Sequence, residues 1–342
     1  MKLSENTIRL FQRGDQDPMK GNIRLLAKEA KCSPATVSRV LNDFPYVKPE
    51  LRERVIAAAK KYHYTLSRNC YLVIIPASAY FLGYLGHILQ KLFREAEARN
   101  YHLTITTEKD VKFTNGTYLF DGVIAVPSQK GLEGRWGQNE ALPMVCFNSQ
   151  GKADDNILRV SSDNRQGIFM ALDHFKKYGH RKIAFVTPDN RPAKDTTDIS
   201  ERQSYYLEWM EQHNKGVDPV ICTIPLNEEG SGGDQQLRDL IRKGVTAFLV
   251  PGEGCSPYIY SKLQQMDLKI PRDISIIGME HHMLSFAFSP PETTIEQDWD
   301  LLVSAAFDTL EKIRNNLTAQ DISIPYRLIE RESVADLNHS AT

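Results

Sequence analysis

The chain has 342 residues, enough for two or three domains and too many for one small module. At 41% hydrophobic and 25% charged, its composition excludes disorder throughout. The net charge of -1 hides an asymmetry: residues 19–68 carry eleven Lys/Arg against four Asp/Glu, and residues 69–342 carry 28 against 36. A basic head on an acidic body points to one small domain that meets a polyanion.

Cys32, Cys70, Cys146, Cys222 and Cys255 are scattered and form no C-x-x-C, which argues for a reducing compartment without disulfides or a zinc site. The N-terminus, Met1-Lys2-Leu3-Ser4-Glu5-Asn6, lacks the apolar core of a secretory signal. Residues 69–90 carry no charge, but Pro76, Ser78, Gly83, Gly86 and His87 divide them into a strand and a helix start, not a membrane span. The expectation is a cytoplasmic protein with no membrane association.

In chain order, residues 1–18 read as an extension and residues 19–64 as a compact all-α unit. Leu25, Leu26 and Ala30 share one helical face, Val37, Val40 and Leu41 a second, and Leu51, Val55 and Ala58/Ala59 a third. The run Ile23 to Asn42 reads as helix, tight turn, helix. Ser33 is placed to cap the second helix, and Pro34 stands at its first position, where a missing N–H costs nothing. With Val37, Val40 and Leu41 turned inward, Ala35, Thr36, Ser38, Arg39 and Asn42 remain outside. That narrow polar face suits a major groove, where Arg binds guanine O6 and N7 together. A three-helix interaction domain with a solvated basic face has the same spacing and charge.

Past residue 70, β-rich runs alternate with helical stretches. The runs are 71–75, 102–105, 121–126, 144–147, 182–186, 246–250 and 274–278, several apolar almost throughout, as parallel strands covered on both faces are. Between two of them, Ile168, Ala171, Leu172 and Phe175 share a helical face over 164–178. The pattern predicts doubly wound α/β architecture in two lobes with a cleft between them. Gly230-Ser231-Gly232-Gly233 lacks the Lys-Ser/Thr of a phosphate loop and reads as surface loop. Adjacent His281 and His282 do not chelate one ion together, and Trp136, Trp209 and Trp299 read as core or interface. Catalytic motifs are absent, so no enzyme, cofactor or metal is expected.

Ala27-x-x-Ala30-x-x-Ser33-x-x-Thr36-Val37-Ser38-Arg39-Val40-Leu41-Asn42, followed by Val47, Leu51-Arg52-x-Arg54-Val55, Ala58 and Tyr64, resembles the headpiece of the LacI/GalR (lactose-repressor/galactose-repressor) family. The similarity continues through Val160-x-x-Asp163-Asn164-x-x-Gly167, Gly179-His180-Arg181-x-Ile183-Ala184, Ile270-Pro271-Arg272-Asp273-Ile274 and Pro290-Pro291-x-Thr293-Thr294-Ile295-x-Gln297 to Arg331-Glu332-Ser333. It implies a helix-turn-helix headpiece on a periplasmic-binding-protein-like core. It also implies a homodimeric repressor of palindromic operator DNA, controlled by a small effector, a sugar or sugar derivative. The implied DNA contacts are Ser33, Pro34, Ala35, Thr36, Ser38, Arg39 and Asn42. The implied effector contacts are Asn148, Arg202, Glu253, Glu280 and Glu292, so that one Arg meets three carboxylates. A solute-binding protein sharing the core, or an α/β enzyme with a helical appendage, are the alternatives.

Two departures from the family stand out. Lys31 occupies a turn position where Gly is usual, and residues 65–70 are too few for the usual hinge helix, spanning at most about 20 Å extended. The core is expected over 71–333, with lobe 1 at 71–158 plus 288–320 and lobe 2 at 159–287 plus 321–333. Residues 334–342 read as a polar tail without the heptads of a tetramer-forming coil.

Overall fold

The computed structural model describes residues 22–41, 44, 46–62, 69–76, 83–108, 120–126, 142–148, 157–188, 198–225, 234–252, 254–279, 284–315 and 317–338. The head is three helices, α1 (Ile23–Glu29), α2 (Pro34–Leu41) and α3 (Pro49–Lys61). Leu26, Ala30, Val37, Val40, Val55 and Ala58 close their common core. Leu25 is half out of it and partly exposed, because the stripe on α1 runs through Leu26, Ala27 and Ala30 instead. The Ser33 hydroxyl accepts the Thr36 amide at 3.0 Å, the N-cap bond that its position foretold. Lys31 carries φ +50° in the turn, a left-handed conformation that disfavours a side chain.

The body contains two six-stranded sheets. The first is built from β1 (Cys70–Ile75), β2 (His102–Thr107), β3 (Gly122–Ala125), β4 (Met144–Phe147), β5 (Ile157–Ser162) and β11 (Ile322–Ile324), in the order β11-β5-β4-β3-β1-β2 and parallel throughout. The second holds β6 (Ile183–Pro188), β7 (Val220–Ile224), β8 (Ala247–Val250), β9 (Ser275–Met279), β10 (Thr293–Glu296) and β12 (Arg327–Ile329), in the order β12-β10-β9-β8-β6-β7. Only the β10–β12 pair is antiparallel. In both sheets the strand order turns back at the first strand, with β2 and β3 flanking β1 and β7 and β8 flanking β6, the arrangement that opens a crevice at the carboxyl ends of the strands.

Helices α4 (Tyr84–Ala98) and α9 (Trp299–Arg314) cover one face of the first sheet, burying Ile88, Leu92, Phe307 and Leu310 against Tyr71, Val73 and Val145. In the second lobe, α5 (Asn164–Lys177) and α6 (Asp198–His213) pack Phe175, Tyr206 and Trp209 on one face. Helix α8 (Cys255–Gln265) packs Ile259 and Leu263 on the other, with Leu237 of α7 (Asp234–Arg242). Each such side chain contributes about 1.5–3 kcal/mol on full burial. Trp209 and Trp299 are core residues, as expected, and Trp136 lies outside the described residues.

The chain passes between lobes at three places, and all differ from the expected boundaries. Strand β5, to Ser162, lies wholly in the first sheet; β10 lies in the second, so the return begins at Gln297; β11, to Ile324, is again in the first. A strand stays with the sheet that bonds its backbone, so each crossing falls just after a strand rather than inside one. The expected tail also needs correction. Ser333 is fully buried and Ala335, Leu337 and Asn338 hydrogen-bond to lobe 2, so residues 333–338 form a strap. Strand β1 begins at Cys70, and the rest of the expected linker up to Arg68 lies outside the described residues.

Candidate functional site

On the head, Val37, Val40 and Leu41 anchor α2, which leaves Ser33, Pro34, Ala35 and Arg39 exposed and Thr36 and Ser38 half-buried. The Ser33 and Thr36 hydroxyls bond to each other at 2.9 Å. The Arg39 carbonyl accepts the Phe44 amide at 3.0 Å, while its guanidinium has no partner among the described residues and is exposed, so its donors can meet an external acceptor. Arg24, Lys28, Lys31, Lys48 and Arg54 are also exposed, which gives the head its cationic surface. Glu29 is neutralised by Lys61 at 2.8 Å, and that pairing, with a bond from Tyr62, holds its carboxyl below the ordinary value. Asn42 lies outside the described residues. Sequence reasoning missed Tyr46, 95% exposed in the segment after α2; a lone aromatic there has no periodic signal.

Between the lobes, polar side chains gather at the three crossings. Asn148, which ends β4 at φ +44°, donates to the Tyr84 hydroxyl at 2.8 Å and to Gln297 Oε1 at 3.1 Å. Its Oδ1 accepts the Ser162 amide at 2.9 Å, and the Ser162 hydroxyl reaches Gln297 Oε1 at 2.9 Å. First and second crossings are thereby joined on the lobe 1 side.

Arg202, on α6, is 2% exposed and reaches the first and third crossings. It donates from Nε to Asn164 Oδ1 at 2.9 Å, from Nη1 to the Pro251 carbonyl at 2.7 Å and from Nη2 to the Tyr326 hydroxyl at 3.0 Å. Tyr326 also donates to Asn164 Oδ1 at 3.1 Å, and its ring packs so closely on Gly167 that a Cβ there would collide with it. Asp298, after the second crossing, forms an ion pair with Arg327, after the third. The set offers the kinds of donor and acceptor that a polyhydroxylated ligand requires.

Of the expected effector residues, Asn148 and Arg202 stand at this hinge, while Glu253 and Glu280 lie outside the described residues. Glu292 does not line a cleft. It is wholly enclosed inside lobe 2 against Gly278, because the turn before β10 directs it under the sheet's neighbouring helix. Arg202 meets the carbonyl of Pro251 and the Asn164–Tyr326 pair rather than this carboxylate. Gln297 and Asn164 belong to the motifs quoted above, but their bonding partners were invisible there. Tyr326 gave no signal at all.

A helix-turn-helix unit with a free arginine, carried on two parallel-sheet lobes joined by three polar crossings, defines a ligand-regulated DNA-binding protein. Residues 22–67 match the family described as "Bacterial regulatory proteins, lacI family", and residues 172–334 match "Periplasmic binding protein-like domain". The chain belongs to the LacI family. It is 25% identical over 336 residues to the sucrose operon repressor of Pediococcus pentosaceus, covering 91% of this chain and 99% of that one. It is 26% identical to the transcriptional repressor PurR of Klebsiella pneumoniae, with 92% and 97% covered. Among solved structures, the regulator CelR in complex with cellobiose superposes with a TM-score of 0.64 at 20% identity, and the lac repressor dimer bound to operator with 0.63 at 18%. Each spans 92% of this chain and 99% of the other.

Proposed function

We propose that this chain is a homodimeric transcriptional repressor that works in the cytoplasm, reads palindromic operator DNA through α2, and is controlled by a carbohydrate held between its lobes. The free guanidinium of Arg39 on the exposed side of α2 carries the DNA reading. A two-fold dimer supplies two such helices for two half-sites, since one headpiece buries too little to be selective. Among the described residues no helix is long and apolar enough to cross a membrane. Asn148 and Arg202, with Glu253 after β8 and Glu280 after β9, are the proposed effector contacts. Amide, guanidinium and carboxylate groups suit sugar hydroxyls. Support comes from relatives: the sucrose operon repressor, and structures holding cellobiose or, in an Enterococcus faecium regulator, ribose.

Selection of duplexes from a random pool by the purified protein, followed by a salt titration of the selected site, tests the reading. A palindromic consensus and a steep loss of affinity with salt are expected. No enrichment, with salt-insensitive binding, would exclude it.

A further inference from the structure

Glu292 has no place in either surface. Its side chain is 0% exposed, and neither carboxyl oxygen has a hydrogen-bond partner. The buried hydroxyls of Ser256, in the first turn of α8, and Ser285 are also without one. The carboxyl lies where a Cβ on Gly278 of β9 would sit. A carboxylate held this way would lose its hydration with nothing in return. Burial accordingly pushes the Glu292 pKa up to about 8; the Ser256 hydroxyl, near the carboxyl but short of hydrogen-bond geometry, and Arg331 pull more weakly the other way.

The loop 284–291 folds back on the backbone of Glu292 and onto α8. The Glu292 amide donates to the Ser285 carbonyl at 2.8 Å, Phe288 stacks on Tyr260 of α8 at 4.3 Å, and the Tyr260 hydroxyl reaches the Pro290 carbonyl at 3.2 Å. Arg331 is the cation that acts on the site. Its Nη1 donates to the Glu292 backbone carbonyl at 2.6 Å and to Thr294 Oγ1 at 2.8 Å, and its Nη2 to Glu296 Oε1 at 3.1 Å. The other ionisable groups on the packed elements are Cys255, Tyr258, Tyr260 and Lys262 on α8, Glu296 on β10, Arg327 on β12 in register with Glu296 and paired with Asp298, and Glu330 and Glu332 beside Arg331. Described β9 and the loop carry none. Tyr260 is held above its ordinary value by burial and then by Glu292, so it stays a neutral phenol. Glu296 stands next to Gln297, the residue that grips Asn148 and Ser162 across the hinge.

We propose that Glu292 is a proton-operated latch on lobe 2. As the neutral acid it lets the loop 284–291 close over it and leaves Arg331 on Glu296. When it releases its proton to solvent, the carboxylate draws Arg331 away from Glu296 and unseats the loop. The second crossing is thereby loosened at alkaline pH.

Backbone hydrogen exchange across 284–296 tests this on the full-length protein, with rates corrected for intrinsic pH dependence. Wild type is expected to lose protection about tenfold per pH unit above about pH 8, and Glu292→Gln to keep constant protection over the same range. A flat wild-type profile, or a parallel decline in both proteins, overturns the latch. Carboxyl-labelled glutamate in the wild type gives a readout that needs no variant. One carboxyl titrating near pH 8 supports the proposal; all of them titrating below about pH 6 overturns it. Neither measurement uses DNA, so the latch and the DNA-binding reading fail separately.

Discussion

The absence of a positive φ at Gly278 makes its missing side chain a matter of space, since the carboxyl of Glu292 fills the position of a Cβ. Gly278→Ala should cost about 1–3 kcal/mol by overpacking. Glu292→Ala removes the obstacle, so urea unfolding of the double variant should show a loss smaller than the sum of the two single losses. Additive losses would mean that the two residues do not meet. On the head, Arg39→Ala should cost about 1–3 kcal/mol at the selected site and relax one base position if, as proposed, its guanidinium reads a base. Exchange of Arg24 or Lys28 should instead weaken binding alike on all sequences. Anisotropy on single-base variants of the selected site distinguishes these outcomes.

At the scale of elements, strand cores were legible because both faces of these sheets are covered and the apolar runs betray them. The runs at 71–75, 144–147 and 274–278 reappear as β1, β4 and β9 within a residue or two. The short strands β10, β11 and β12 escaped because three or four residues carry no period, and their sheet membership decides the lobe boundaries. The strap escaped for another reason. Its anchors are single polar bonds: Ser333 Oγ donates to the Ile276 carbonyl at 2.6 Å and accepts the Thr293 amide at 2.8 Å, and His180 Nε2 meets the Ala335 carbonyl at 3.1 Å. Such contacts depend on the finished fold, as does Glu292, whose identity suggested a cleft ligand and whose position made it a buried acid.

Two buried histidines give lobe 2 an acid limb. Burial holds the pKa of His180 below its ordinary value, with His174 shifted the same way by burial. The unfolded chain therefore binds protons that the folded chain refuses, so stability rises with pH through the ordinary histidine range and is lost below it. Glu292 acts with the opposite sign. Its unfolded carboxyl releases the proton near 4.5 and its folded one near 8, so its contribution falls as pH rises between them. A melting-temperature profile should be a dome, with His180→Gln flattening the acid side and Glu292→Gln the alkaline side. A profile unchanged by both variants would show that neither group titrates as placed.

For the whole molecule, charge and length set the arrangement. The basic head supplies attraction to phosphate and the acidic core does not, so tight binding depends on joining two heads through the cores. Sedimentation at micromolar concentration should give a dimer with and without DNA. Residues 333–338 are occupied in holding lobe 2, which leaves no described segment for a tetramer-forming coil. A monomer under both conditions would defeat the paired-half-site account.

The link between head and core is where control is expected to depart from the family habit. Helix α3 ends at Lys61 and β1 begins at Cys70, so few residues are left in which a hinge helix can form. About two turns of helix at most do not propagate without tertiary support. The expectation is that so short a tether holds each head near its lobe and passes movement at the three crossings on directly. On this account, weak bending of the operator and a narrow tolerance of half-site spacing are expected, because strong kinks come from apolar side chains wedged between base steps. Three Gly-Ser pairs inserted after Ser67 should leave half-site affinity nearly unchanged and weaken effector control, since only the coupling depends on tether length. Control is measured with a carbohydrate that first raises the melting temperature of the unmodified protein. If that insertion leaves regulation intact, or a bending assay shows a strong central kink, direct transmission through the tether is wrong.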